Sequence, residues 1–347
     1  MLELKTSFPH DHTALNDART IASFFIQTWR QMEILEKSLE EKVKAKKPLV
    51  IEKYNPQWAV FFESESQKIK SVMGENAVEI YHVGSTSVPN LAAKPIVDMI
   101  LVTKDLKSAR EFLTSEELGY RYKGEYNLPL RDLYGKKGDF EVYLHVHRIN
   151  NPETKLNLLF RDYLRNNDEA RKQYESVKIT ASKEQNASEK VGTGITKYNL
   201  LKNDLIVSIL EKTGFSGVCP RFVTQRTESE YFAKIRRNFF ENLGIEDGSL
   251  LPDQNVKKIV LYRGVDLVGA AEITNISADR FLISFAWTND NGQLLKKLLS
   301  MIEDWVKTRT KSQLLEATVG PSQARVYLNE GFIHPIESNN HYFIKEV

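Results

Sequence analysis

The chain has 347 residues, enough for about two domains with apolar cores that need no disulfide or metal. Hydrophobic residues make up 41% and charged residues 27%, which excludes a disordered chain. Lys and Arg number 48 against 46 Asp and Glu, a net charge of +2, so a broadly basic nucleic-acid surface is excluded. The small surplus lies before Ser216, and a nucleic-acid partner stays open only through a local patch there. No apolar run reaches the roughly 20 residues of a membrane helix. Residues 1–12 lack the basic-then-apolar order of a secretory signal, so a cytoplasmic protein with no membrane partner is expected. Cys219 has no second cysteine to pair with and, beside Pro220, reads as a structural thiol.

Residues 20–46 carry Ile21, Phe24, Phe25, Trp29, Met32, Leu35 and Leu39 at mostly helical spacing and predict a helix. A lysine-rich run closes it before Pro48, and cations suit a helix C-terminus. Residues 58–73 predict an amphipathic helix, 78–83 a strand, and 96–102 a second strand that is apolar apart from Asp98. A helix is predicted over 106–118, a strand over 140–149, and helices over 158–164, 168–183 and 199–212. Residues 212–220, with two glycines and a proline, predict a boundary. Beyond it the pattern predicts a helix (228–243), strands (257–263, 266–276, 281–287), a helix (294–308), a strand (314–319), a short helix (323–330) and a last strand (342–345). The turn at 263–266 makes the first two of these strands a hairpin.

The sharpest motif runs through His82, Val83, Gly84, Ser85, Thr86, Ser87, and then Lys94, Pro95, Ile96, Val97, Asp98. A strand ends at Val83, Gly84 lets the backbone approach a ligand closely, and the hydroxyl run offers donors suited to phosphate oxygens. A lone acid amid Ile and Val is costly unless it is paired or bound to a cation. Two readings follow: a phosphate cradle with Asp98 as a magnesium ligand, or a plain turn with Asp98 paired to a Lys or Arg. On an alternating strand Glu141, Tyr143, His145 and His147 share a face, so Glu141 is a second candidate metal carboxylate and His145 a candidate ligand or base. Asp139 is an alternative acid.

The stretch HVGSTSVPNLAAKPIVDMILV closely resembles the signature of the GrpB family, in the DNA polymerase beta-like nucleotidyltransferase superfamily. Leu144–His145–Val146, the run from Leu159 to Asn166 with Ala170, Tyr174 and Lys178, and Gly194 to Tyr198 match it in order. The resemblance spans about residues 53–210. It implies that Gly84, Ser85 and Thr86 form a phosphate-binding turn beside Lys94, that Asp98 holds Mg2+, and that Arg161, Arg165, Lys178 and Lys197 line the triphosphate side. Its cofactors would be Mg2+ and a nucleoside triphosphate. The superfamily's second carboxylate is missing, since position 100 is Ile100. The same helices also admit nucleic-acid contact through Arg171, Lys172, Tyr163 and Tyr174, but interleaved acids favour a solvated face or a phosphate pocket.

The order of elements after residue 214, and the segment from Gly320 to Phe332, resemble the GNAT acetyltransferases. That resemblance implies that Tyr327 stands where such enzymes keep an acid for the departing thiolate. It also puts Asn291, Gly292 and Gln293 where the pyrophosphate of acetyl-CoA would meet a helix N-terminus. Here Asp290 precedes them, with one glycine and no leading arginine, and Leu295 follows.

The expected fold class is α+β: a helical N-terminal leader (1–48), a GrpB-like nucleotidyltransferase-fold domain (49–214) and a GNAT-like α/β domain (215–347). Three functions are carried forward. The first is Mg2+-dependent transfer of a nucleotidyl group to an unknown acceptor, whether small molecule, protein or RNA. The second is nucleotide binding or scaffolding without turnover. The third is N-acetyl transfer by the C-terminal domain.

Overall fold

The computed structural model describes residues 49–191, 195–223, 226–244, 256–290, 292–335 and 341–347. The helix expected over 20–46 lies outside them. Contacts divide the chain after Pro48, and Leu49–Val347 forms one compact unit. No described helix is long and apolar enough to cross a membrane.

The first sheet has five strands in the order β1-β2-β5-β4-β3: β1 (Glu79–Val83), β2 (Ile96–Thr103), β3 (Arg121–Gly124), β4 (Arg131–Lys136) and β5 (Glu141–Arg148). Strand β2 lies between β1 and β5, antiparallel to the first and parallel to the second. Both its faces are covered, which is why its sequence is nearly continuous in apolar residues. Val97, Met99 and Leu101 face a core shared with helices α1 (Gln57–Met73) and α2 (Leu106–Leu113). In α1, Trp58, Ile69 and Met73 make one buried stripe at helical spacing, and Gly74, with φ at 53°, ends the helix. Ile100 and Val102 face the other way, with Val83 and Leu158. Asp98 lies on this second face.

On that side three helices make a separate layer: α3 (Pro152–Asn166), α4 (Asp168–Lys183) and, after the short α5 (Lys197–Leu200), α6 (Asn203–Lys212). Asn151 caps α3 by accepting from the Glu153 amide, and Asn167 caps α4 at the Ala170 amide. Leu164, Ala170, Tyr174 and Ile209 close around Val88 and Leu91, which follow the Gly84 turn. Strands β6 (Lys190–Val191) and β7 (Ile195–Thr196) form a small antiparallel pair.

The second sheet has six strands in the order β13-β12-β11-β10-β9-β8. They are β8 (Val218–Phe222), β9 (Val256–Arg263), β10 (Asp266–Ser277), β11 (Arg280–Thr288), β12 (Leu314–Thr318) and β13 (Tyr342–Glu346). Helix α8 (Gln293–Arg309) links the parallel pair β11 and β12 and packs on one face through Leu294, Leu298, Ile302 and Val306. Helix α7 (Arg226–Leu243) covers the other face through Phe232, Phe239 and Phe240 against Phe285. Short helix α9 (Ala324–Asn329) precedes β13. The order helix, hairpin, strand, helix, strand, helix, strand is the one expected, preceded by an unexpected edge strand.

The structure departs from the sequence expectations in five places, the first being the helix expected over 199–212, which a turn at Leu201 and Lys202 splits into α5 and α6. The helix expected over 106–118 stops at Leu113, because the Thr114 and Ser115 hydroxyls bond back to the Arg110 and Phe112 carbonyls and Gly119 turns at φ 68°. Residues 119–139, left without an element, supply β3 and β4. The helix expected at 158–164 starts at Pro152, a residue whose fixed φ and missing N–H suit a first helical turn. The boundary expected at 212–220 contains most of β8, with Pro220 tolerated because the strand is an edge.

Candidate functional site

Asp98 sits at the head of β2 between Val83 of β1 and Tyr143 of β5. Gly84 leaves β1 at φ 68°, and a Cβ there would stand 2.5 Å from Asp98 Oδ2. Glycine is thus required twice over, for its dihedral and for the room it leaves the carboxylate. A single turn of 3-10 helix follows over Ser85–Ser87.

That turn is held from behind by the two arginines expected to line a triphosphate. Arg161 Nη1 donates to the His82 carbonyl at 3.0 Å, and Arg165 donates to the Ser87 carbonyl through Nε and Nη2 at 3.0 and 2.7 Å. Neither lines the cavity in front of Asp98. Thr86 is buried, with Oγ1 donating to the Ile96 carbonyl and meeting His82 Nε2 at 3.1 Å. His82 stacks on Phe62, and burial pushes it down to about 4, so it is a neutral structural imidazole. Of the turn, only Ser85 lines the cavity.

The cavity holds about 510 Å³. Five cationic side chains line it, Lys94, Lys123, Arg131, Lys178 and Lys202, against one carboxylate, Asp98. Three of the lysines crowd together. Lys94 Nζ and Lys202 Nζ lie 3.8 and 4.1 Å from the centre of the buried Tyr198 ring. Lys178 is only 1% exposed and donates to the Ala92 carbonyl. Burial first and the neighbouring ammonium groups second push Lys178 and Lys202 down to about 7, and burial lowers Lys94 too. Tyr126, Asn127, Tyr143, Tyr198 and Asn199 complete the polar wall.

His145 Nε2 is 3.7 Å from Asp98 Oδ1, long for a hydrogen bond but close enough for charge to be felt. On its other side Arg131 Nη1 meets His145 Nδ1 at 3.0 Å. A guanidinium only donates, so Nδ1 is the acceptor and the neutral ring carries its proton on Nε2, toward Asp98. Burial lowers the His145 pKa, in keeping with a neutral ring. Nδ1 is therefore taken, while Nε2–H faces Asp98 beyond hydrogen-bond distance, an arrangement that does not offer a lone pair of His145 to a metal or a proton. Glu141 does not join Asp98: its Oε1 faces Lys123 Nζ at 4.0 Å, outside the cavity lining. Asp139 is exposed in a turn. Lys197 is also displaced, with Nζ donating to the Gln185 carbonyl at 3.1 Å.

Lys202, Lys123 and Arg131 escaped the sequence reading. Lys202 carried a usable signal, four residues after Tyr198, which brings it to the same ring. The other two lie in the 119–139 stretch, which had no readable periodicity.

Among the described residues no group of three or more His, Cys, Asp or Glu side chains could hold a metal ion. Asp98 fits a magnesium ion that arrives on phosphate oxygens, since that ion commonly takes one or two carboxylates and fills its shell with phosphate and water.

A family model described as GrpB protein matches residues 48–212. UPF0157 protein SCO7215 of Streptomyces coelicolor is 32% identical over 161 residues, covering 46% of this chain and 82% of that protein. This chain belongs to the GrpB family. The family resemblance rests on the domain just described, and it extends to UPF0157 protein YqkA of Bacillus subtilis, 37% identical over 129 residues. That match spans 36% of this chain and 37% of YqkA, less than two thirds of the relative's length. The crystal structure of the conserved protein GrpB from Enterococcus faecalis is 32% identical, covering 47% of this chain and 96% of that one at a TM-score of 0.41. A putative acyl-CoA N-acyltransferase from Klebsiella pneumoniae is 17% identical, covering 38% of this chain and 97% of that one at a TM-score of 0.31.

The residues expected to meet acetyl-CoA are arranged otherwise. The Asp290 carboxylate accepts from the Gly292 amide at 3.1 Å and the Leu294 amide at 3.0 Å, filling the start of α8 with the protein's own anion. Arg263 adds a cation 3.6 Å from it. Gln293 is exposed, and Asn291 lies outside the described residues. Tyr327, expected as an acid, is 0% exposed among Phe332 and Phe343, and burial raises its pKa.

Proposed function

We propose that this chain binds a nucleoside triphosphate in the cavity beside Gly84 and Ser85, chiefly by its phosphates. One observation carries the reading: five cationic side chains face one carboxylate in a single cavity, with two of the lysines pushed down to about 7 by burial first and neighbouring ammonium groups second. Such a cluster is costly without an anion, and a polyphosphate supplies one with several charges. Ser85 offers a further donor, and the ring of Tyr126 offers a face for a base or ribose.

A second reading, nucleotidyl transfer to an acceptor, is favoured by Asp98 standing next to Ser85 in that cavity. Magnesium anchored by Asp98 would draw charge from the phosphate oxygens. The missing second carboxylate keeps this reading behind simple binding.

The test is thermal stability with ATP, GTP, CTP and UTP, each with and without magnesium, for wild type, Asp98→Ala and Lys202→Met. A ligand of the native state raises the melting temperature. A rise with one triphosphate, kept in Asp98→Ala and lost in Lys202→Met, is the expected result. A rise that needs magnesium and Asp98, with pyrophosphate released, would put transfer first. No rise with any triphosphate would refute both readings.

A further inference from the structure

The rim of the cavity is held from beyond the residues that the family model matches. Segment 125–131 supplies Tyr126, Asn127 and Arg131 to the lining. Tyr126 and Leu130 sit in left-handed backbone, with φ at 54° and 63°. Residues with a side chain keep that conformation only where their surroundings over-determine it. Here much of the surroundings belongs to the second sheet and its helix.

Glu125 accepts from Trp305 Nε1 at 2.9 Å and from Arg309 Nε at 2.8 Å, both on α8, while also accepting from the Leu130 amide at 2.8 Å. The Phe222 amide of β8 donates to the Asn127 carbonyl at 3.0 Å. Leu130 packs against the core of the second sheet. Arg309 Nη1 also lies 2.7 Å from Asp132 Oδ1, and Asp132 is 0% exposed. The segment ends on Arg131, whose Nη2 donates to the Glu125 carbonyl at 2.7 Å and whose Nη1 holds His145 Nδ1. A continuous set of contacts thus runs from Arg309 and Trp305 through Glu125 and Arg131 to His145 and Asp98.

We propose that Arg309 and Trp305 are positioning residues for the central site. Acting through Glu125 and Arg131, they lock His145 in the tautomer that turns Nε2–H toward Asp98, and they fix the rim that meets the ligand. The effect on ligand affinity rests on the nucleotide reading above; the effect on the tautomer does not. Partner groups of this kind commonly change affinity or activity by ten- to a hundredfold, at about that order of magnitude, when removed.

The experiment uses the full chain labelled with [15N]histidine, with the His145 ring assigned by loss of its signal in His145→Gln. Ring nitrogen shifts report the tautomer directly. Wild type is expected in the Nε2–H form. Arg309→Met and the milder Trp305→Phe are expected to give a mixture of forms and about tenfold weaker binding of MgATP by calorimetry. Arg148→Ala serves as control: it breaks a half-exposed pair with Asp304 of α8, 3.2 Å apart, that also joins the first sheet to α8 but is separate from the hydrogen bonds of Glu125 and Arg131. The control is expected to keep the wild-type tautomer. Should Arg309→Met fail to fold, Trp305→Phe decides. An unchanged tautomer in the folded variants, or an equal change in Arg148→Ala, would overturn the proposal. A tautomer change in a protein that binds no triphosphate would support the positioning role and refute the nucleotide reading.

Discussion

Arg131 Nη1 stands 3.0 Å from His145 Nδ1, and this contact decides what the histidine can do. It takes the lone pair that a metal would need and repels a second proton on the ring. Arg131→Met should let His145 titrate nearer its ordinary value, since a cation that lowers it is gone. The Glu125 carbonyl would also lose its donor. A stability loss of about 2–3 kcal/mol is expected for hydrogen bonds from a charged group. Histidine NMR over pH 4–8 and urea unfolding measure the two effects.

Gly84→Ala should destabilise the protein by about 1–3 kcal/mol from the backbone alone, since φ 68° with ψ −173° is a region that only glycine adopts readily. The added Cβ would also stand 2.5 Å from Asp98 Oδ2. In a double-mutant cycle, Asp98→Ala should recover part of the loss, because it removes that oxygen. Strict additivity of the two changes in denaturant midpoint would show that the carboxylate does not crowd this turn.

Lys178 and Lys202 set a pH dependence with a definite sign. Both have folded values of about 7, well below an unfolded lysine near 10.4. Between these limits the unfolded chain binds more protons, so stability of the ligand-free protein should rise as pH climbs from about 7 toward 10. Triphosphate affinity should move the other way, falling above pH 7 as the ammonium groups lose their protons. Urea midpoints at a series of pH values check the first. Lys178→Met should flatten the slope.

Asp290→Ala should cost about 1 kcal/mol, the usual loss when a side chain that accepts from the first amides of a helix is removed. Asp290→Asn should cost less. Acetyl-CoA should give no thermal shift with wild type, since the carboxylate already fills the start of α8. A clear shift would mean that Asp290 moves aside and would return acyl transfer to consideration.

The parts of the site that were legible in the sequence are those where backbone chemistry dictates residue type. Gly84 next to a strand end and Asp98 inside an apolar strand stand out because a lone acid amid Ile and Val is costly unless it is paired or bound to a cation. Lys94 and Lys178 could be placed through the family resemblance. Arg161, Arg165 and Lys197 were the right kind of residue for a phosphate but lie on the wrong side. Long side chains choose between a ligand and a nearby carbonyl, and helical spacing does not say which. Glu141 was assigned by strand alternation, which fixes the face but not the distance along it; two residues of rise carry it past Asp98 to Lys123. Strands β3 and β4 were missed because their short, polar and tyrosine-containing runs have neither period. With them went Lys123 and Arg131. The edge strand β8 was hidden by Pro220 and by Gly214 and Gly217 just ahead of it, features that a linker and an edge strand share.

Strand β8 has a consequence for what kind of object this chain is. The end of the peptide that looks like a tether between two independent modules is paired with β9 over Val218–Phe222, and Phe222 bonds to the wall of the cavity through Asn127. A nick at Gly217, just ahead of the strand, would break the covalent link and leave this seam in place. The two halves are built as interlocking pieces, held by a shared edge rather than by the thread that joins them.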